Sequence, residues 1–424
     1  MRHVIIGAGP AGVIAAEALR KLNPAASVTL VGDEQEPPYS RMALPYYLSN
    51  KINEAGTYLR KIPNHYKERQ IDVRVDKVTA VDTNAKKVRL AGGGDLAYDK
   101  LLIATGSRPI APPIPGMDLP GIYPCWTLED ARHIANGAVR GAKVVLMGAG
   151  FIGCIILEAL AKRGVELTVV EMADRMVPRM MNSTAGGLIK KWCETKGVKV
   201  YTSTKVTAIE AGKPAGHRFN VILDNGTALT ADLIISATGV RSNIEFLKDS
   251  GVKTDHGVLI DRHMQTSNPH IYAAGDVAQG LDFSTGEYSV QAIQPTAADH
   301  GQLAARNMAG LKGAIHQGSV NMNVLDTIGL ISSSFGLWMG AKGGDSAELC
   351  DQARFRYLNL QFEEDVLVGA TSLGLTDHVG VLRGLIQTKT RLRAWKIKLL
   401  HDPTRIMEAY LANTQAVGFN AGLI

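Results

Sequence analysis

The chain has 424 residues, of which 46% are hydrophobic and 20% charged, with 44 glycines. This length exceeds what one core usually organises, so we expect two or three domains of about 100–200 residues. The composition excludes a disordered or fibrous protein and favours a folded α/β protein. Lys and Arg number 46 against 40 Asp and Glu, a net charge of +6. The charges are spread along the chain except for one C-terminal basic cluster, which argues against nucleic-acid binding.

The cysteines and the N-terminal residues exclude several further classes. Cys125, Cys154, Cys193 and Cys350 form no C-x-x-C pair, which argues against a disulfide framework, a zinc ribbon or an iron–sulfur cluster held by this chain. The apolar start runs directly into a glycine motif without a cleavage site, which predicts a strand rather than a signal peptide. No apolar run reaches the roughly 18–20 residues of a membrane span. Without a signal peptide or a membrane span, we expect a cytoplasmic protein. The histidines show no metal-ligand spacing, so we expect no metal site.

The first motif is a glycine-rich turn between an apolar strand and a helical pattern. Gly7 permits the tight turn, Gly9 lets the backbone approach a pyrophosphate, and Gly12 lets the helix pack closely on the strand. The phosphates would then lie at the unpaired N–H groups and positive dipole end of the helix. The next strand ends about 20 residues further on at Asp33 and Glu34, so either carboxylate is placed to bind ribose hydroxyls.

The same strand, turn and helix pattern recurs with Gly148, Gly150 and Gly153. Its following strand ends at Glu171. A carboxylate here accepts hydrogen bonds from both ribose hydroxyls and repels a 2′-phosphate, so we expect NAD rather than NADP; the alternative for Glu171 is a solvated strand end. Two such motifs indicate two bound dinucleotides, which we expect to be one flavin and one nicotinamide.

Three further segments carry a family resemblance. Asp99–Pro109 resembles the segment that closes the FAD domain of two-dinucleotide flavoprotein reductases, and Leu233–Arg241 resembles the equivalent segment of the NAD domain. Ile271–Ala278 resembles the segment in which an aspartate, here Asp276, binds the flavin ribityl chain. With the two glycine motifs, these segments make residues 1–310 similar to the pyridine nucleotide–disulfide reductase-like flavoproteins.

The resemblance implies an α/β fold with two Rossmann-like dinucleotide-binding domains and a C-terminal α+β interface domain. The FAD domain would comprise residues 1–112 and 242–312, with the NAD domain, 113–241, inserted into it, and the interface domain would comprise 313–424. Beyond Gly310 we expect strands at Asn323–Ile331, Arg354–Phe362 and Val366–Thr371.

The resemblance also implies the site residues for both cofactors, FAD and NAD. Those expected to bind FAD are Gly7, Gly9, Pro10, Ala11, Gly12, Asp33, Glu34, Arg41, Ala104, Thr105, Gly106, Arg108, Gly275, Asp276, Gln294, Pro295 and Thr296. Those expected to bind NAD are Gly148, Gly150, Phe151, Ile152, Gly153, Glu171, Arg175, Thr238 and Gly239. No catalytic side chain is expected, because the flavin carries the hydride.

Two of these expectations need explanation. The helix that begins at Gln294, Pro295 and Thr296 points its positive end at the flavin pyrimidine in the family, which favours the reduced flavin. The planar fork of Arg41 suits a flavin phosphate or ribose, with a surface salt bridge as the alternative.

The chain departs from the family pattern at two positions. Met42 occupies the place of the redox cysteine, and a thioether forms neither a thiolate nor a disulfide. The preceding Tyr-Ser-Arg resembles instead the cysteine-free branch, which includes rubredoxin and ferredoxin reductases, the nitrite reductase flavin module and flavin subunits of anaerobic dehydrogenase complexes. In many relatives a glutamate follows Gly-Cys of the second motif, where this chain has Ile155. Either Glu158 partly substitutes near the nicotinamide, or the pocket does without that carboxylate.

The histidines and the C-terminal segment complete the expectations. His65, His217, His300 and His401 are expected on the surface. Near the C-terminus, apolar residues alternate with the cations Lys389, Arg391, Arg393, Lys396, Lys398 and Arg405. Such a basic amphipathic helix is a solvated surface helix, a membrane-surface element or a docking site for an acidic partner. The tail 413–424 is a candidate anchor to another subunit.

We therefore expect an FAD-containing NAD(H) oxidoreductase that exchanges electrons with an iron–sulfur carrier or subunit, because flavin splits an electron pair. The long C-terminal segment favours the NAD-linked flavin subunit of an anaerobic dehydrogenase complex of the 2-oxoacid (phenylglyoxylate) type over a free NADH:rubredoxin or ferredoxin reductase. An NADH oxidase or peroxidase and a non-catalytic NAD-sensing subunit are the alternatives.

Overall fold

The computed structural model describes residues 1–212, 216–311 and 313–420, with side chains as far as residue 414. The helices are α1 (Pro10–Leu22), α2 (Leu44–Leu48), α3 (His65–Glu68), α4 (Leu128–Gly137), α5 (Phe151–Arg163), α6 (Ser183–Thr195), α7 (Gln294–Met308), α8 (Val379–Thr388), α9 (Ala394–His401) and α10 (Ile406–Asn420). The last four residues of the candidate anchor 413–424 lie outside the described residues.

The strands occur throughout the chain. They are β1 (Arg2–Ile6), β2 (Ser27–Gly32), β3 (Ile71–Val75), β4 (Val78–Asp82), β5 (Lys87–Leu90), β6 (Asp95–Ala97), β7 (Lys100–Ile103), β8 (Ser107–Pro109), β9 (Ile122–Tyr123), β10 (Lys143–Met147), β11 (Glu166–Val170), β12 (Lys199–Tyr201), β13 (Val206–Ala211), β14 (Phe219–Leu223), β15 (Ala228–Ala231), β16 (Leu233–Ser236), β17 (Val240–Ser242), β18 (Val258–Leu259), β19 (Ile271–Ala273), β20 (Ala278–Leu281), β21 (Tyr288–Val290), β22 (Met322–Thr327), β23 (Leu330–Gly336), β24 (Asp345–Asp351), β25 (Arg356–Glu363) and β26 (Val366–Leu373).

The chain divides into two compact units, each built from two separate segments. The first comprises Met1–Ile110 and Val240–Ser319, and the second comprises Ala111–Gly239 and Val320–Ile424. The expected division into FAD, NAD and interface domains stays a prediction, since the second unit contains both the second glycine motif and the C-terminal segment.

A five-stranded parallel sheet in the order β19-β7-β1-β2-β3 forms the centre of the first unit. Four of the five residues of β1 are buried, as expected of a parallel strand covered on both faces. Helices α1 and α7 pack on each other. A Cβ at Gly301 of α7 would lie 2.4 Å from the carbonyl oxygen of Ala11 in α1, so only glycine permits this approach. The contact places the start of α1 against α7.

The second unit repeats the parallel arrangement, with the order β12-β11-β10-β16-β9. In both sheets the strand before the glycine turn, β1 or β10, lies between the strand that follows the helix and a later strand, β7 or β16. The glycine turn therefore lies at the carboxyl edge of the sheet, where open parallel sheets bind ligands. The two sheets confirm the expected α/β fold.

The C-terminal part of the second unit is an antiparallel sheet in the order β22-β23-β26-β25-β24, with α8, α9 and α10. Its core includes Phe335, Leu360, Phe362, Leu385 and Leu399. The expected segment 323–331 proves to be two strands with a turn at Ile328 and Gly329, and β24 was not expected because its residues are mostly polar. Among the described residues, no helix combines the length and apolarity that crossing a bilayer requires.

Candidate functional site

The first glycine turn has space for a ligand at one position and none at two others. Gly7 has a φ of +111°, and a Cβ there would lie 2.1 Å from the carbonyl oxygen of Ala104. A Cβ at Gly12 would lie 1.9 Å from the carbonyl oxygen of Gly7. A Cβ at Gly9, by contrast, would meet nothing within 4 Å. The backbone at Gly9 is therefore open to close approach by a bound group.

The start of α1 offers unpaired N–H groups to such a group. Gly9 is the N-cap residue and makes no side-chain capping hydrogen bond, and the first turn contains no acidic residue. The first turn of α1 therefore supplies no carboxylate that would offset the positive end of the helix dipole. Both observations fit the pyrophosphate of a dinucleotide.

The second glycine turn reproduces this geometry. A Cβ at Gly148, whose φ is +95°, would lie 2.5 Å from the carbonyl oxygen of Ala237, and one at Gly153 would lie 2.2 Å from that of Gly148. A Cβ at Gly150 would meet nothing within 4 Å. Helix α5 also begins without a side-chain cap or an acid in its first turn. The two glycine turns therefore have equivalent geometry, and each leaves room for the pyrophosphate of a dinucleotide.

The remaining residues expected in these turns also occupy equivalent positions in the two units. Pro10 and Ala11 form the first residues of α1, as Phe151 and Ile152 form those of α5. Ala-Thr-Gly follows β7 in the first unit and β16 in the second; these residues are Ala104, Thr105 and Gly106, and Ala237, Thr238 and Gly239.

The two carboxylates after β2 differ in their surroundings. Glu34 accepts hydrogen bonds from Arg41 Nη2 at 2.7 Å and from the Tyr39 hydroxyl at 2.5 Å. Asp33 is exposed. The salt bridge considered as the alternative role of Arg41 is therefore present, and the ribose contact of either carboxylate stays a prediction.

Asp276 follows a glycine that lies where α1 and α7 meet. The preceding Gly275 has a φ of +76°, and a Cβ there would lie 3.2 Å from Ala11 Cβ and 3.4 Å from Ala297 Cβ. Asp276 Oδ2 accepts a hydrogen bond from Ser107 Oγ at 3.3 Å. Burial raises the pKa of Asp276 above its usual range. A partly buried carboxylate at this place fits a ligand that supplies hydroxyl donors.

The start of α7 is tied to the segment before Arg41. Ser40 Oγ donates a hydrogen bond to Gln294 Oε1 over 2.6 Å. Pro295 and the buried Thr296 follow in a first turn that has no side-chain cap and no acid. Ser40 was not among the expected site residues; its position next to Arg41 was the signal in the sequence that could have identified it.

Arg108, expected to bind FAD, donates hydrogen bonds to Asn243 and Glu245.

Glu171 is buried rather than a solvated strand end. It is 8% exposed, and its two carboxylate oxygens accept hydrogen bonds from Ala149 N at 2.6 Å and from Ala173 N at 2.7 Å. The carboxylate is therefore held against the second glycine turn. Arg175, also expected to bind NAD, donates from Nε to the carbonyl oxygen of Met181 at 2.9 Å. Its own NAD contact stays a prediction.

The structure shows the surroundings of Met42, of Glu158 and of the cysteines. Met42 is 45% exposed. Glu158 forms an ion pair with Lys162, one turn further along α5. Burial raises the pKa of Cys154 well above its usual range, and raises those of Cys125 and Cys193 to about 12, so these thiols stay protonated. Among the described residues, no group of three or more His, Cys, Asp or Glu side chains could hold a metal ion.

Two of the four expected surface histidines are buried. His65 is 6% exposed, and its Nε2 lies 2.6 Å from Glu17 Oε1. His300 is 4% exposed, and its ring packs edge-on against that of His316, with centroids 4.7 Å apart. The expectation was wrong for both. His217 pairs with Asp232, and His401 is exposed as expected.

The expected basic helix is interrupted and largely paired within the chain. Helix α8 ends at Thr388 and α9 begins at Ala394. Lys396 lies 2.5 Å from Asp345, and Arg391 lies 3.3 Å from Asp365. Arg405 pairs with Glu408, and the Lys398 ammonium lies over the Trp395 ring. Ile397, one of the apolar residues that alternate with these cations, is 62% exposed. These pairings favour the surface-helix interpretation over the docking site and the membrane element.

Known proteins are similar to this chain in sequence and in fold. The family profile described as pyridine nucleotide-disulphide oxidoreductase matches residues 1–301. The NADH-dependent phenylglyoxylate dehydrogenase subunit epsilon of Aromatoleum evansii is 30% identical over 416 residues, covering 97% of this chain and 98% of that protein. An NADH oxidase of Methanocaldococcus jannaschii is 34% identical over 326 residues, covering 74% of this chain and 72% of that protein.

A solved structure, the covalent putidaredoxin reductase–putidaredoxin complex, has a TM-score of 0.89 and 25% identity, covering 97% of this chain and 99% of the matched chain. The duplicated turns and the Asp276 segment fit the two cofactors of this family, FAD and NAD(H). The chain is an NAD(H)-dependent flavin oxidoreductase and belongs to the pyridine nucleotide-disulphide oxidoreductase family.

Proposed function

We propose that this enzyme passes electrons between NAD(H) and an iron–sulfur subunit, as the NAD-linked flavin subunit of an anaerobic dehydrogenase complex of the 2-oxoacid or phenylglyoxylate type. One observation carries the proposal. The similarity to the phenylglyoxylate dehydrogenase subunit extends over 97% of this chain and 98% of that protein. It therefore includes the C-terminal sheet and its helices, beyond the residues 1–301 that match the family profile.

The proposal assigns one role to the bound FAD and separate binding roles to the residues of this chain. Bound FAD supplies hydride acceptance and release of single electrons. The two glycine turns bind the pyrophosphates, and Asp276 accepts hydrogen bonds from the ribityl hydroxyls. In this proposal Glu171, held against the second glycine turn by Ala149 N, accepts hydrogen bonds from the ribose of the nicotinamide dinucleotide. The sequence has no cysteine pattern for a cluster of its own, so the one-electron acceptor has to be a partner.

A free NADH:rubredoxin or ferredoxin reductase would use the same sites with a diffusing carrier. An NADH oxidase is the second candidate, and the 34% identity to the archaeal NADH oxidase favours it. Met42 argues against peroxide chemistry, because a thioether cannot cycle through a sulfenic acid as a thiolate does. The proposal of a non-catalytic NAD-sensing subunit rests only on Ile155. The expected cytoplasmic location stays a prediction.

The deciding experiment is isolation of the native protein from its source cells under anaerobic conditions, with mass spectrometry of co-purifying chains and an absorbance spectrum. Stoichiometric iron–sulfur subunits would support the proposal and identify the substrate of the complex. A single flavoprotein that reduces added ferredoxin or rubredoxin would identify a free reductase instead.

A kinetic measurement on the same preparation separates the other candidates. Oxygen consumption with NADH alone, as fast as electron transfer to any iron–sulfur protein, would identify an oxidase. Failure of NADH to bleach the flavin in a stopped-flow experiment would leave the sensing subunit. The matched control is the Gly153→Ala variant, in which the second glycine turn is blocked and bleaching is expected to require at least about tenfold more NADH.

A further inference from the structure

Two serine hydroxyls from the paired strands β8 and β17 hold Asp276. Ser107 on β8 and Ser242 on β17 lie opposite each other in this antiparallel pair. The Ser107 hydroxyl donates a hydrogen bond to Asp276 Oδ2 over 3.3 Å, and the Ser242 hydroxyl donates one to the carbonyl oxygen of Asp276 over 3.1 Å. Both serines are buried. The same strand pair therefore engages the carboxylate of Asp276 through one hydroxyl and its main chain through the other.

Asp276 is close to the first glycine turn and is not sealed by the protein. The preceding Gly275 lies against Ala11 in the first turn of α1, where a Cβ at position 275 would come within 3.2 Å of the Ala11 Cβ. Asp276 keeps partial solvent exposure, whereas its neighbours Gly275 and Val277 are buried. The aspartate is therefore accessible beside the turn whose geometry fits a pyrophosphate.

The protonation state of Asp276 decides what it can offer a ligand. An ionised carboxylate only accepts hydrogen bonds, whereas a protonated one also donates. Burial raises the pKa of Asp276, while the hydrogen bond from Ser107 and the positive charge of Arg41 lower it. Arg41 is near, since its Nη1 donates to the carbonyl oxygen of Ser107 over 3.4 Å. The first turns of α1 and α7, which pack against this segment, contain no acidic residue. Ser107 and Arg41 therefore offset the effect of burial.

We propose that Ser107 is a positioning residue for Asp276: its hydroxyl holds Oδ2 and keeps the carboxylate ionised, as an acceptor for the ribityl hydroxyls of FAD. This inference rests on the ribityl contact proposed above for Asp276 and adds the residue that prepares the carboxylate for it. Ser242 binds only the main-chain carbonyl oxygen of Asp276. The two serines therefore have separable effects on FAD binding.

The test compares Ser107→Ala with the wild type over a range of about pH 4.5 to 8. The dissociation constant of FAD is measured by flavin fluorescence after dilution of the holoenzyme. Without the hydroxyl, Asp276 takes up its proton at higher pH, so FAD binding should begin to weaken about one pH unit above the wild-type value. At the acidic end of the range, the dissociation constant is expected to be about tenfold higher than that of the wild type. Ser107→Thr keeps the hydroxyl and should restore the wild-type profile.

Ser242→Ala is the matched control, because it removes a buried hydroxyl from the paired strand that bonds the same aspartate. It is expected to change the dissociation constant of FAD by the same factor at every pH and to leave the pH midpoint at the wild-type value. A purely structural contribution of the two hydroxyls would affect both variants alike. A shift of the midpoint in Ser107→Ala alone is specific to the bond with the carboxylate.

Asp276→Asn separates this inference from the contact on which it rests. Its amide does not titrate, so we expect at least about tenfold weaker FAD binding, without the pH midpoint of the wild type. Wild-type affinity and pH profile in Asp276→Asn would overturn both the ribityl contact and the role of Ser107. Weaker binding in Asp276→Asn together with an unshifted midpoint in Ser107→Ala would overturn the role of Ser107 alone.

A second variant provides the measurement if Ser107→Ala does not fold. Ser107→Cys replaces the hydroxyl by a thiol, which is a weaker hydrogen-bond donor. The midpoint is expected to shift in the same direction, and a wild-type midpoint would contradict the proposal. These measurements need no electron acceptor, so they stay informative if the proposed dehydrogenase complex proves wrong.

Discussion

The side-chain amide of Asn182 donates a hydrogen bond to the hydroxyl oxygen of Tyr357 over 2.5 Å. Asn182 also caps α6 by accepting from Ala185 N, and Tyr357 lies fully buried in β25 of the C-terminal sheet. Burial raises the pKa of Tyr357 to about 12, so the hydroxyl keeps its proton. The loop after Glu171 is thus joined to the C-terminal sheet at the start of α6.

Removing this hydroxyl is expected to weaken NADH binding. Arg175 is held by the carbonyl oxygen of Met181 and by Ser183, on either side of Asn182. In Tyr357→Phe, the Asn182 amide loses its acceptor, so the free energy of unfolding falls by about 1–3 kcal/mol. We expect a higher KM for NADH with unchanged kcat. The control is Tyr410→Phe on α10, which should alter neither; an unchanged KM in Tyr357→Phe would show that the loop does not depend on this bond.

A substitution that blocks one glycine turn is expected to weaken binding of one cofactor and to leave binding of the other unchanged. In Gly12→Ala the new methyl group meets the carbonyl oxygen of Gly7, and in Gly153→Ala it meets that of Gly148. We expect at least about tenfold weaker FAD binding in the first variant. The second should keep its flavin and lose NADH binding to a similar extent. Flavin content and stopped-flow NADH titration measure the two effects, and loss of flavin in Gly153→Ala would contradict two separate sites.

Because position 42 holds methionine rather than cysteine, we expect the enzyme to take up only one pair of electrons per FAD. A chain with a redox disulfide beside the flavin takes up two pairs of electrons. With Met42 in that place and the buried thiols of Cys125, Cys154 and Cys193 protonated, we expect complete flavin bleaching with one equivalent of NADH per FAD. An anaerobic titration followed at the flavin absorbance maximum measures this ratio. A requirement for two equivalents would reveal a second redox group.

Buried His300 is expected to make stability depend on pH. Burial first, and then the nearby His316, lower the pKa of His300 to about 3 from its ordinary 6.5. The unfolded chain therefore binds a proton that the folded chain does not, between these two values. Stability is full above pH 6.5 and falls as the pH drops toward 3, by about 1.4 kcal/mol per pH unit for this group.

The variant His300→Gln removes this proton. We expect its melting temperature to fall less between pH 7 and pH 5 than that of the wild type. His401→Gln, at an exposed position, is the control and should retain the wild-type pH dependence. Equal pH dependence in all three proteins would show that His300 is not buried in the neutral form.

Local patterns were sufficient to predict the two glycine turns and the parallel sheets, because Gly7 and Gly148 act through backbone geometry within a few residues. The surface expectation for His65 failed because its partner Glu17 lies on a distant segment, α1. His300 was misassigned although Ala297 and Ala304, three residues before and four after it, mark a buried helix face.

The contact of Gly301 with Ala11 also couples the first glycine turn to the Asp276 segment. Because a Cβ at position 301 would meet a backbone carbonyl oxygen, main-chain atoms set the separation of α1 and α7 at this crossing. Ala11 also lies against Gly275, the residue before Asp276. A larger side chain at position 301 would therefore push the start of α1 away from α7 and displace both segments together.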